Sequence, residues 1–257
     1  MFTSPPQFTR RLLPALVASA MAASAYGAGD EVINTTVTGT QSFDSTSTSI
    51  TVQSGGNIDA YVGGQILYDD SITLSDGGHN LSFINVEDGA EIHAGWDAIY
   101  TGDEGANTIG SITIGGDLFS EGYIGGIGVS VDFETTVTGN VAITSTGSFV
   151  GSGMAPSETN EAYESGVEQA GIAVLGTVNG NVTNAGSIDG ANGMAVLGAA
   201  FANGTLAGTV GGSVLNLDTG VISAKGDAGI LVLGGGHVIG DVSNAGTIVA
   251  EGEGVAG

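Results

Sequence analysis

The glycines of this chain mark a repeated pattern of short β-branched runs. The run GIAVL at residues 171–175 recurs as GMAVL at 193–197 and as GILVL at 229–233. A GNVTN-type run follows each of them, at 180–184, 212–216 and 240–244, and then a GSI-type run, at 186–188, 220–222 and 246–248. Short runs between Gly, Asn, Asp and Thr are typical of strands joined by tight turns, and the glycine density disfavours helix.

The glycines that open the second run show that the pattern extends toward the N-terminus. They stand at 110, 139, 180, 212 and 240, so their separations are 29, 41, 32 and 28 residues. Three β-runs in a repeat of this length predict an all-β, right-handed parallel β-helix, a β-solenoid with three short strands per coil. The alternative is an antiparallel β-sandwich or barrel, but those folds do not repeat the same residues at equivalent positions.

Stacked coils would place equivalent residues of successive repeats in rows. The valines expected to stack are Val182, Val214 and Val242. The same register brings three asparagines to one corner, where their amides form a candidate ladder. These are Asn184, Asn216 and Asn244. A role as turn residues is the alternative for them.

The first 27 residues have the pattern of a secretory signal peptide. Arg10 and Arg11 precede an apolar run at 12–23, and the small residues after it place cleavage between Ala25 and Ala28. This run is shorter than the roughly 20 residues that span a bilayer. We therefore expect export through the inner membrane of a chain with three parts: a signal peptide at 1–27, an irregular N-terminal solenoid or cap region at 28–108, and regular repeats at 109–257 that carry an inserted acidic loop at 151–170.

The charge balance excludes two classes of partner. All 27 acidic residues follow the expected signal, whereas Lys225 is the only Lys or Arg after it, which leaves a formal charge of −26. Because nucleic acid and anionic lipid are bound through clusters of Lys and Arg, neither is an expected partner. The hydrophobic fraction of 41% suffices for a core, and the absence of cysteine excludes disulfides and thiolate metal sites.

A signal peptide, tandem GNVTNAGSI and GIAVLG units, no cysteine and an excess of acid together resemble the passenger region of Gram-negative autotransporters, the type V secreted surface proteins. The resemblance is strongest over 110–257. It implies a β-helical passenger at the cell surface or outer membrane, or a secreted one. In that family a C-terminal β-barrel follows the passenger, and the residues up to Gly257 lack its strand pattern. We therefore expect a fragment or truncated product, with a freely secreted solenoid as the alternative.

Parallel β-helices also include glycosidases and lyases, so a carbohydrate-active enzyme is the alternative function. The candidate carboxylate pairs are the adjacent acids at 69–70, 87–88 and 103–104. Neighbouring residues on a strand point to opposite faces, so we expect solvated turns rather than catalytic pairs. His79, His93 and His237 are far apart in the sequence and are expected in exposed turns. The prediction is a protein without catalytic activity or cofactor.

The acidic residues raise the question of calcium. The calcium-binding nonapeptide G-G-x-G-x-D is absent, because Ser130 stands where Asp is required after the GGIGV of 125–129. We expect only weak, non-specific Ca²⁺ binding by the acidic surface and no specific metal site.

Two segments are candidate interaction surfaces of a rigid β-helical stalk used in adhesion or surface contact. The first is the acidic loop, in which helically spaced glutamates follow a Pro-Ser start; its candidate residues are Glu158, Glu161, Tyr163, Glu164 and Glu168. The second is an aromatic patch around the only tryptophan: His93, Trp96 and Tyr100. For the acidic loop the alternative is a solvent-exposed loop without a partner. For the aromatic patch it is a tryptophan that packs in the core or cap. The partner would be a ligand on a host, matrix or neighbouring-cell surface.

Overall fold

The computed structural model describes residues 29–61, 70–74, 77–102, 105–121, 126–151, 170–201, 204–226 and 228–250. Every regular element in these ranges is a β-strand. The expected signal peptide at 1–27 and the interior of the acidic loop lie outside the described residues. Only the two ends of that loop, Gly151 and Ala170, are described.

The strands of the first part of the chain are short, mostly two to six residues long. They are β1 (Gly29–Ile33), β2 (Thr36–Thr38), β3 (Gln41–Phe43), β4 (Ser47–Val52), β5 (Asn57–Asp59), β6 (Ile72–Leu74), β7 (Asn80–Leu81), β8 (Ile84–Val86), β9 (Glu91–Ala94), β10 (Ile99–Tyr100), β11 (Asn107–Ile109), β12 (Ile112–Ile114), β13 (Asp117–Ser120), β14 (Val129–Val131) and β15 (Thr135–Val137).

The second part continues the same pattern, with one longer strand, β22. Its strands are β16 (Val141–Ile143), β17 (Ser148–Gly151), β18 (Ala170–Val174), β19 (Thr177–Val178), β20 (Val182–Asn184), β21 (Ser187–Gly190), β22 (Asn192–Phe201), β23 (Gly204–Ala207), β24 (Thr209–Val210), β25 (Val214–Asn216), β26 (Val221–Ala224), β27 (Ile230–Leu233), β28 (His237–Val238), β29 (Val242–Asn244) and β30 (Thr247–Ala250).

These strands form four sheets, and each strand pairs with its counterparts in the coils before and after it. Sheet A runs β1-β4-β8-β12-β16-β20-β25-β29, and sheet B runs β2-β5-β9-β13-β17-β21-β26-β30. Sheet C runs β3-β6-β10-β14-β18-β22-β27, and sheet D runs β7-β11-β15-β19-β24-β28. The pairing is parallel throughout these four sheets, which is the connectivity of a stack of coils and not of an antiparallel sandwich.

The number of strands per coil differs from the predicted three, because sheet D adds a fourth. In one repeat this extra strand is β19, Thr177–Val178, which directly follows the GIAVLG run. The sequence contains a signal for it, because Gly-Thr-Val at 176–178 recurs at 208–210 and as Gly-His-Val at 236–238. Division of each repeat into three runs does not count these two-residue strands separately.

The register of sheet A follows the glycine repeat. Val182 pairs with Val214 and Val214 with Val242, as the repeat predicts. Val141 pairs with Val182 and extends the row by one coil. The partners are separated by 41, 32 and 28 residues, so coils of different length stack at the same position. The extra residues lie between β17 and β18 in the longest coil and in the β22–β23 hairpin in the next one, and not within the strands of sheet A.

The glycine two residues before each of these valines allows the coils to approach closely. The Gly180 N–H donates to the Gly139 carbonyl at 2.9 Å, and a Cβ on Gly180 would lie 2.5 Å from that oxygen. Gly212 has the same relationship to Gly180, at 2.6 Å. Any larger residue would push neighbouring coils apart, which explains why glycine recurs at this position.

The core lies inside the coils, and in most strands of sheets A and B it is built by alternation of buried and outward-facing residues. In β12 the side chains of Ile112 and Ile114 are buried and Thr113 between them is half-exposed. In β16 Val141 and Ile143 are buried in the same way. Burying one such side chain contributes about 1.5–3 kcal/mol, so repetition along the stack supplies most of the driving force for folding.

The first coil is smaller than those that follow. It has strands in sheets A, B and C but none in sheet D. Val32 pairs with Thr51 only 19 residues later, whereas Ile84 and Ile112 are 28 residues apart. Phe43 faces inward in this coil and is 0% exposed. A large aromatic side chain thus fills the interior of a short coil.

Candidate functional site

The connections of the stack differ in length according to the sheets that they join. From sheet D to sheet A they have two or three residues, and from sheet A to sheet B two to four. From sheet B to sheet C they range from one residue, between β21 and β22, to eighteen, between β17 and β18. The variation in length is therefore concentrated beside sheet C, which leaves the pairing of the other sheets undisturbed.

A hairpin interrupts one of the connections from sheet C to sheet D. Strand β22 pairs with β18 and β27 through its first half, and its second half, from Gly198 to Phe201, pairs antiparallel with β23. Among the described strands this is the one antiparallel pair. Insertions thus occur at both corners of sheet C, where the chain enters the sheet and where it leaves it. Loops grouped on one face of a solenoid commonly form its binding face.

The acidic loop is the eighteen-residue connection between sheets B and C. Its candidate residues Glu158, Glu161, Tyr163, Glu164 and Glu168 lie outside the described residues. The structure places where the chain leaves and returns, at Gly151 at the end of β17 and at Ala170 at the start of β18. Both ends are buried and paired in their sheets, so the loop has two fixed attachment points at one corner.

In its later strands, β18, β22 and β27, sheet C is apolar on its outer face as well as its inner face. All five residues of β18 are buried, without the alternation seen in sheets A and B. Ala173 and its partner Ala195 belong to a small cluster separate from the main core, and Leu231 packs against that cluster. The acidic loop and the hairpin therefore adjoin strands of sheet C that bury apolar side chains on both faces.

His93, the first residue of the predicted aromatic patch, lies on the outer face of sheet B. Its ring stacks on that of Phe119 in the next coil, with the centroids 4.4 Å apart and the planes 16° from parallel. Nδ1 of His93 lies 3.2 Å from Oε1 of Glu121, and Nε2 lies 3.6 Å from Oε2 of Glu91. One stacking contact and two carboxylates thus fix the orientation of the imidazole.

The other two residues of the patch lie in the connection after β9 and in β10. Trp96 is half-buried in the connection between β9 and β10, and its carbonyl accepts a hydrogen bond from Ser120 Oγ at 2.8 Å. Tyr100 is in sheet C, where it is 7% exposed and donates its hydroxyl to Oδ2 of Asp132 at 2.5 Å. His93, Trp96 and Tyr100 thus lie in sheet B, in the connection that follows it and in sheet C.

Phe119 and Glu121, which contact His93, are not among the residues predicted from the sequence. The signal that could have found them is the alignment of two short runs, EIHA in β9 and DLFS in β13, which pair residue for residue. Aligning them places Phe119 directly over His93. These runs belong to the weaker repeats, where glycine is less regularly spaced.

The three asparagines at the corner of sheet A are joined by side-chain hydrogen bonds. Nδ2 of Asn184 donates to Oδ1 of Asn216 at 2.8 Å, and Nδ2 of Asn216 donates to Oδ1 of Asn244 at 2.7 Å. Asn184 also accepts from the Gly186 N–H at 3.2 Å, which caps the turn into the next strand. The asparagines form an amide ladder and turn contacts at once.

A second polar ladder runs along the corner between sheets D and A. Oδ1 of Asn140 accepts from the Asn181 N–H, and Oδ1 of Asn181 accepts from the Ser213 N–H, both at 2.8 Å. Oγ of Ser213 then accepts from the Asp241 N–H at 2.9 Å. The residue after each anchor glycine therefore ties its coil to the next one. The two ladders therefore connect successive coils of the stack.

Three carboxylates of the first coils have shifted pKa values. Burial raises the pKa of Glu31, and the hydrogen bond from Ser47 opposes that effect. Hydrogen bonds from Ser49 and Thr48 lower the pKa of Asp30. The side chain and backbone N–H of Thr46 likewise lower the pKa of Asp44. These shifts follow from local packing and turn geometry.

The carboxylate pairs considered for catalysis are dispersed. The pair 103–104 and Asp69 lie outside the described residues. Asp70 accepts a hydrogen bond from the Asp97 N–H at 3.1 Å, and Glu87 accepts from the Ser54 N–H at 3.3 Å. In the described part of the chain, no group of three or more His, Cys, Asp or Glu is arranged to hold a metal ion.

Comparison with known proteins gives no match to a family model, to a curated protein or to a solved structure. The described ranges also hold no helix long and apolar enough to cross a membrane. The sequence pattern therefore carries the resemblance to autotransporter passengers. To it the structure adds an all-β fold of parallel stacked strands, which is compatible with a β-helical passenger.

Proposed function

We propose that the chain is an exported, non-enzymatic surface protein whose solenoid acts as a rigid β-helical stalk in adhesion or another surface contact, as in autotransporter passengers. The observation that carries the proposal is the division between a regular stack and its insertions. Sheets A, B and D are joined by connections of at most four residues across their shared corners, while the long ones border sheet C. A uniform scaffold with insertions on one side suits the presentation of a binding surface.

The stiffness of such a stalk comes from the ladders between coils. Backbone hydrogen bonds such as those from Gly180 to Gly139 and from Gly212 to Gly180 repeat in register. The buried amide ladder of Asn184 and Asn216 adds a second set of inter-coil bonds. Bending the stack would break both sets together. The crossover rule for parallel strands supports a right-handed path for the coils.

Export is part of the same proposal. The Arg-Arg start, the short apolar run and the small residues near Ala25 support removal of a signal peptide, and the absence of cysteine suits passage across two membranes. We place the protein at the cell surface, in the outer membrane or among secreted proteins of a Gram-negative bacterium. Its acidic surface would bind Ca²⁺ weakly and without a dedicated site, and no cofactor is required.

The acidic loop is the element that we assign to partner contact. It is the longest connection, and both of its ends are held in sheets B and C. The partner would be a host, matrix or neighbouring-cell surface ligand. The test is a variant in which residues 152–169 are replaced by one alanine. In a later coil Ala191 alone makes the equivalent connection, between β21 and β22. We expect beads coated with this variant to lose binding to cells or matrix.

The matched control is Thr113→Ala with Thr183→Ala, two half-exposed residues on the outer face of sheet A. We expect this variant to bind like the wild type. Retained binding by the loop variant, with circular dichroism that matches the wild type, would remove the loop from the proposed function. Release of reducing ends from polysaccharides by the purified chain would favour the carbohydrate-active enzyme instead.

A separate experiment tests export. The whole chain, expressed in a Gram-negative host, is expected to yield a product whose mass corresponds to cleavage between Ala25 and Ala28. Replacing Arg10 and Arg11 with glutamate should leave the chain in the cytoplasm. An uncleaved product outside the cytoplasm would contradict a removable signal.

A further inference from the structure

The N-terminal edge of the stack consists of the first strands of sheets A, B and C. Among the described strands, β1, β2 and β3 each pair on one side only, with β4, β5 and β6. Removal of the signal peptide, which belongs to the proposed function, would leave no more than residues 26–28 ahead of β1. So short a remainder cannot turn back to cover the edge. The exported chain would therefore present unpaired backbone groups, with which other strands can pair.

Two inward-facing residues of the first coil are polar, whereas the same positions are apolar in the later coils. Glu31 begins a row of sheet A that continues with Ile50, Ile84, Ile112, Val141, Val182, Val214 and Val242. Gln41 begins a row of sheet C that continues with Ile72, Ile99, Val129, Ile172, Met194 and Ile230. Glu31 and Gln41 are 5% and 3% exposed. The change from apolar to polar therefore occurs where the stack ends.

The charge of Glu31 has a cost for the fold. Oγ of Ser47 donates to Oε1 of Glu31, but over the long distance of 3.4 Å. Burial raises the pKa of Glu31, and the neighbouring Asp44 and Asp30 act in the same direction. Strand β4, on which β1 packs, has no charged side chain that could offset them. Because the ionised form destabilises the fold, its place here points to a role other than stability.

We propose that Glu31 prevents the N-terminal edges of two copies of this chain from pairing with each other. Across a two-fold axis, β1 of one copy would lie antiparallel to β1 of the other, and each would bring an inward carboxylate to the contact. Like charges opposite each other on paired strands repel, and these two would also lose water without gaining a cation. A carboxylate acts against a second copy in particular, because that partner brings the same charge. Gln41 adds a polar group to the same edge.

Without that charge the edge is suited to association. Val32 on the outer face of β1 is 44% exposed, and the buried Ile33 and Phe43 lie inside the same coil. Pairing of two β1 strands would satisfy backbone groups of both copies and remove apolar surface from water. Each copy contributes one strand of five residues, so the contact is small and the association is weak.

The test uses residues 28–257, which contain every described strand and are produced without the signal. Its outcome does not depend on cleavage of the signal, so failure of the proposed export and failure of this proposal are separate results. Sedimentation equilibrium at neutral pH measures self-association. We expect the wild type to stay monomeric up to about 0.5 mM. Glu31→Val, which gives the first coil the residue type of the later coils, should tighten self-association by about tenfold or more.

Glu31→Gln keeps the size of the side chain and removes its charge, and it should tighten self-association by about threefold or more. The matched control is Asp30→Asn, which removes the same charge from the neighbouring residue of β1, whose side chain is exposed. We expect Asp30→Asn to stay monomeric, because exposed charges are screened by salt. Association of Asp30→Asn equal to that of Glu31→Val would show that net charge alone keeps the copies apart and would overturn the proposal. A wild type that already dimerises, or folded Glu31 variants that stay monomeric, would overturn it as well.

A distance measurement identifies the surface that pairs. The chain has no cysteine, so Val32→Cys in the Glu31→Val background places a single spin label on the outer face of β1. In a dimer through β1 the two labels should lie within about 20 Å of each other, because paired strands are adjacent. Head-to-tail contact would separate them by at least the height of sheet A, which is about 34 Å for its eight strands. The shorter distance supports pairing of the N-terminal edges, and the longer one would overturn it.

Discussion

The side-chain amide of Asn184 donates to Oδ1 of Asn216, 2.8 Å away, with both residues at most 1% exposed inside the coil stack. Nδ2 of Asn216 in turn donates to Oδ1 of Asn244 in the next coil. A buried amide is costly unless its donors and acceptors are paired, and here each coil supplies the partner for the next. The ladder thereby favours one register of coil against coil.

Asn216→Ala tests the ladder at its centre. The substitution removes both bonds and leaves the buried Nδ2 of Asn184 unpaired, whereas Asn244 is exposed and can bond to water. We therefore expect the free energy of unfolding to fall by about 1–3 kcal/mol. Urea unfolding followed by circular dichroism measures it. Asn85→Ala, on the outer face of sheet A, is the control and should cost about 0.5 kcal/mol or less. An equal loss of unfolding free energy in the two variants would show that the ladder does not contribute to stability.

The sequence predicts the rows of the stack well and its partial repeats poorly. Val182, Val214 and Val242 align because the glycine before each of them leaves space for the coil beneath. That requirement is steric and visible in the sequence. The fourth strand, such as β19, pairs with its counterparts in adjacent coils. It has only two residues, so its Gly-Thr-Val signal at 176–178 is easily merged with the longer run before it.

The candidate surfaces show the same limit. His93 and Trp96 are neighbours in sequence, yet the ring that stacks on His93 is that of Phe119, 26 residues later. This contact depends on the register between two coils, and register requires knowing where each connection ends. In the N-terminal part the connections beside sheet C vary in length, so local sequence does not fix that register.

Gly180→Ala tests the close approach of coils. A Cβ at this position would lie 2.5 Å from the Gly139 carbonyl oxygen and 2.4 Å from Oδ1 of Asn140. Because backbone and a ladder side chain would both have to move, we expect a loss of about 1–3 kcal/mol in unfolding free energy. Gly115→Ala, whose Cβ would be no closer than 3.2 Å to any atom, should cost less than half as much. A reversed order in thermal denaturation would contradict the steric explanation.

The carboxylates of the first coils predict opposite dependences on pH. Glu31 has a raised pKa in the folded protein, so the folded state binds its proton more tightly than the unfolded state does. Stability is then lost as the pH rises through that raised pKa. We expect Glu31→Gln to melt at a higher temperature than the wild type at about pH 7, with the difference vanishing toward about pH 4.

Asp44→Asn is the counterpart, because hydrogen bonds from Thr46 lower the pKa of Asp44. The ionised carboxylate stabilises the fold above the usual aspartate pKa, and this stability is lost as the pH falls through the lowered value. The variant should therefore melt below the wild type at neutral pH. Melting curves that shift in the same direction for Glu31→Gln and Asp44→Asn would contradict the assignment of these carboxylates.

The first coil contributes to stability through one aromatic side chain, and a pair of phenylalanines isolates that contribution. Phe43 is 0% exposed inside the coil, whereas Phe83 in the connection between β7 and β8 is 38% exposed. We expect Phe43→Ala to lower the free energy of unfolding by about 3–5 kcal/mol, because it leaves a cavity that the short coil cannot close. Phe83→Ala should cost about 1 kcal/mol or less, since its ring remains partly in water in the folded state. Urea denaturation of both variants measures the difference. Costs within error of each other would mean that the first coil is not packed around Phe43, and that the core begins only with the larger coils.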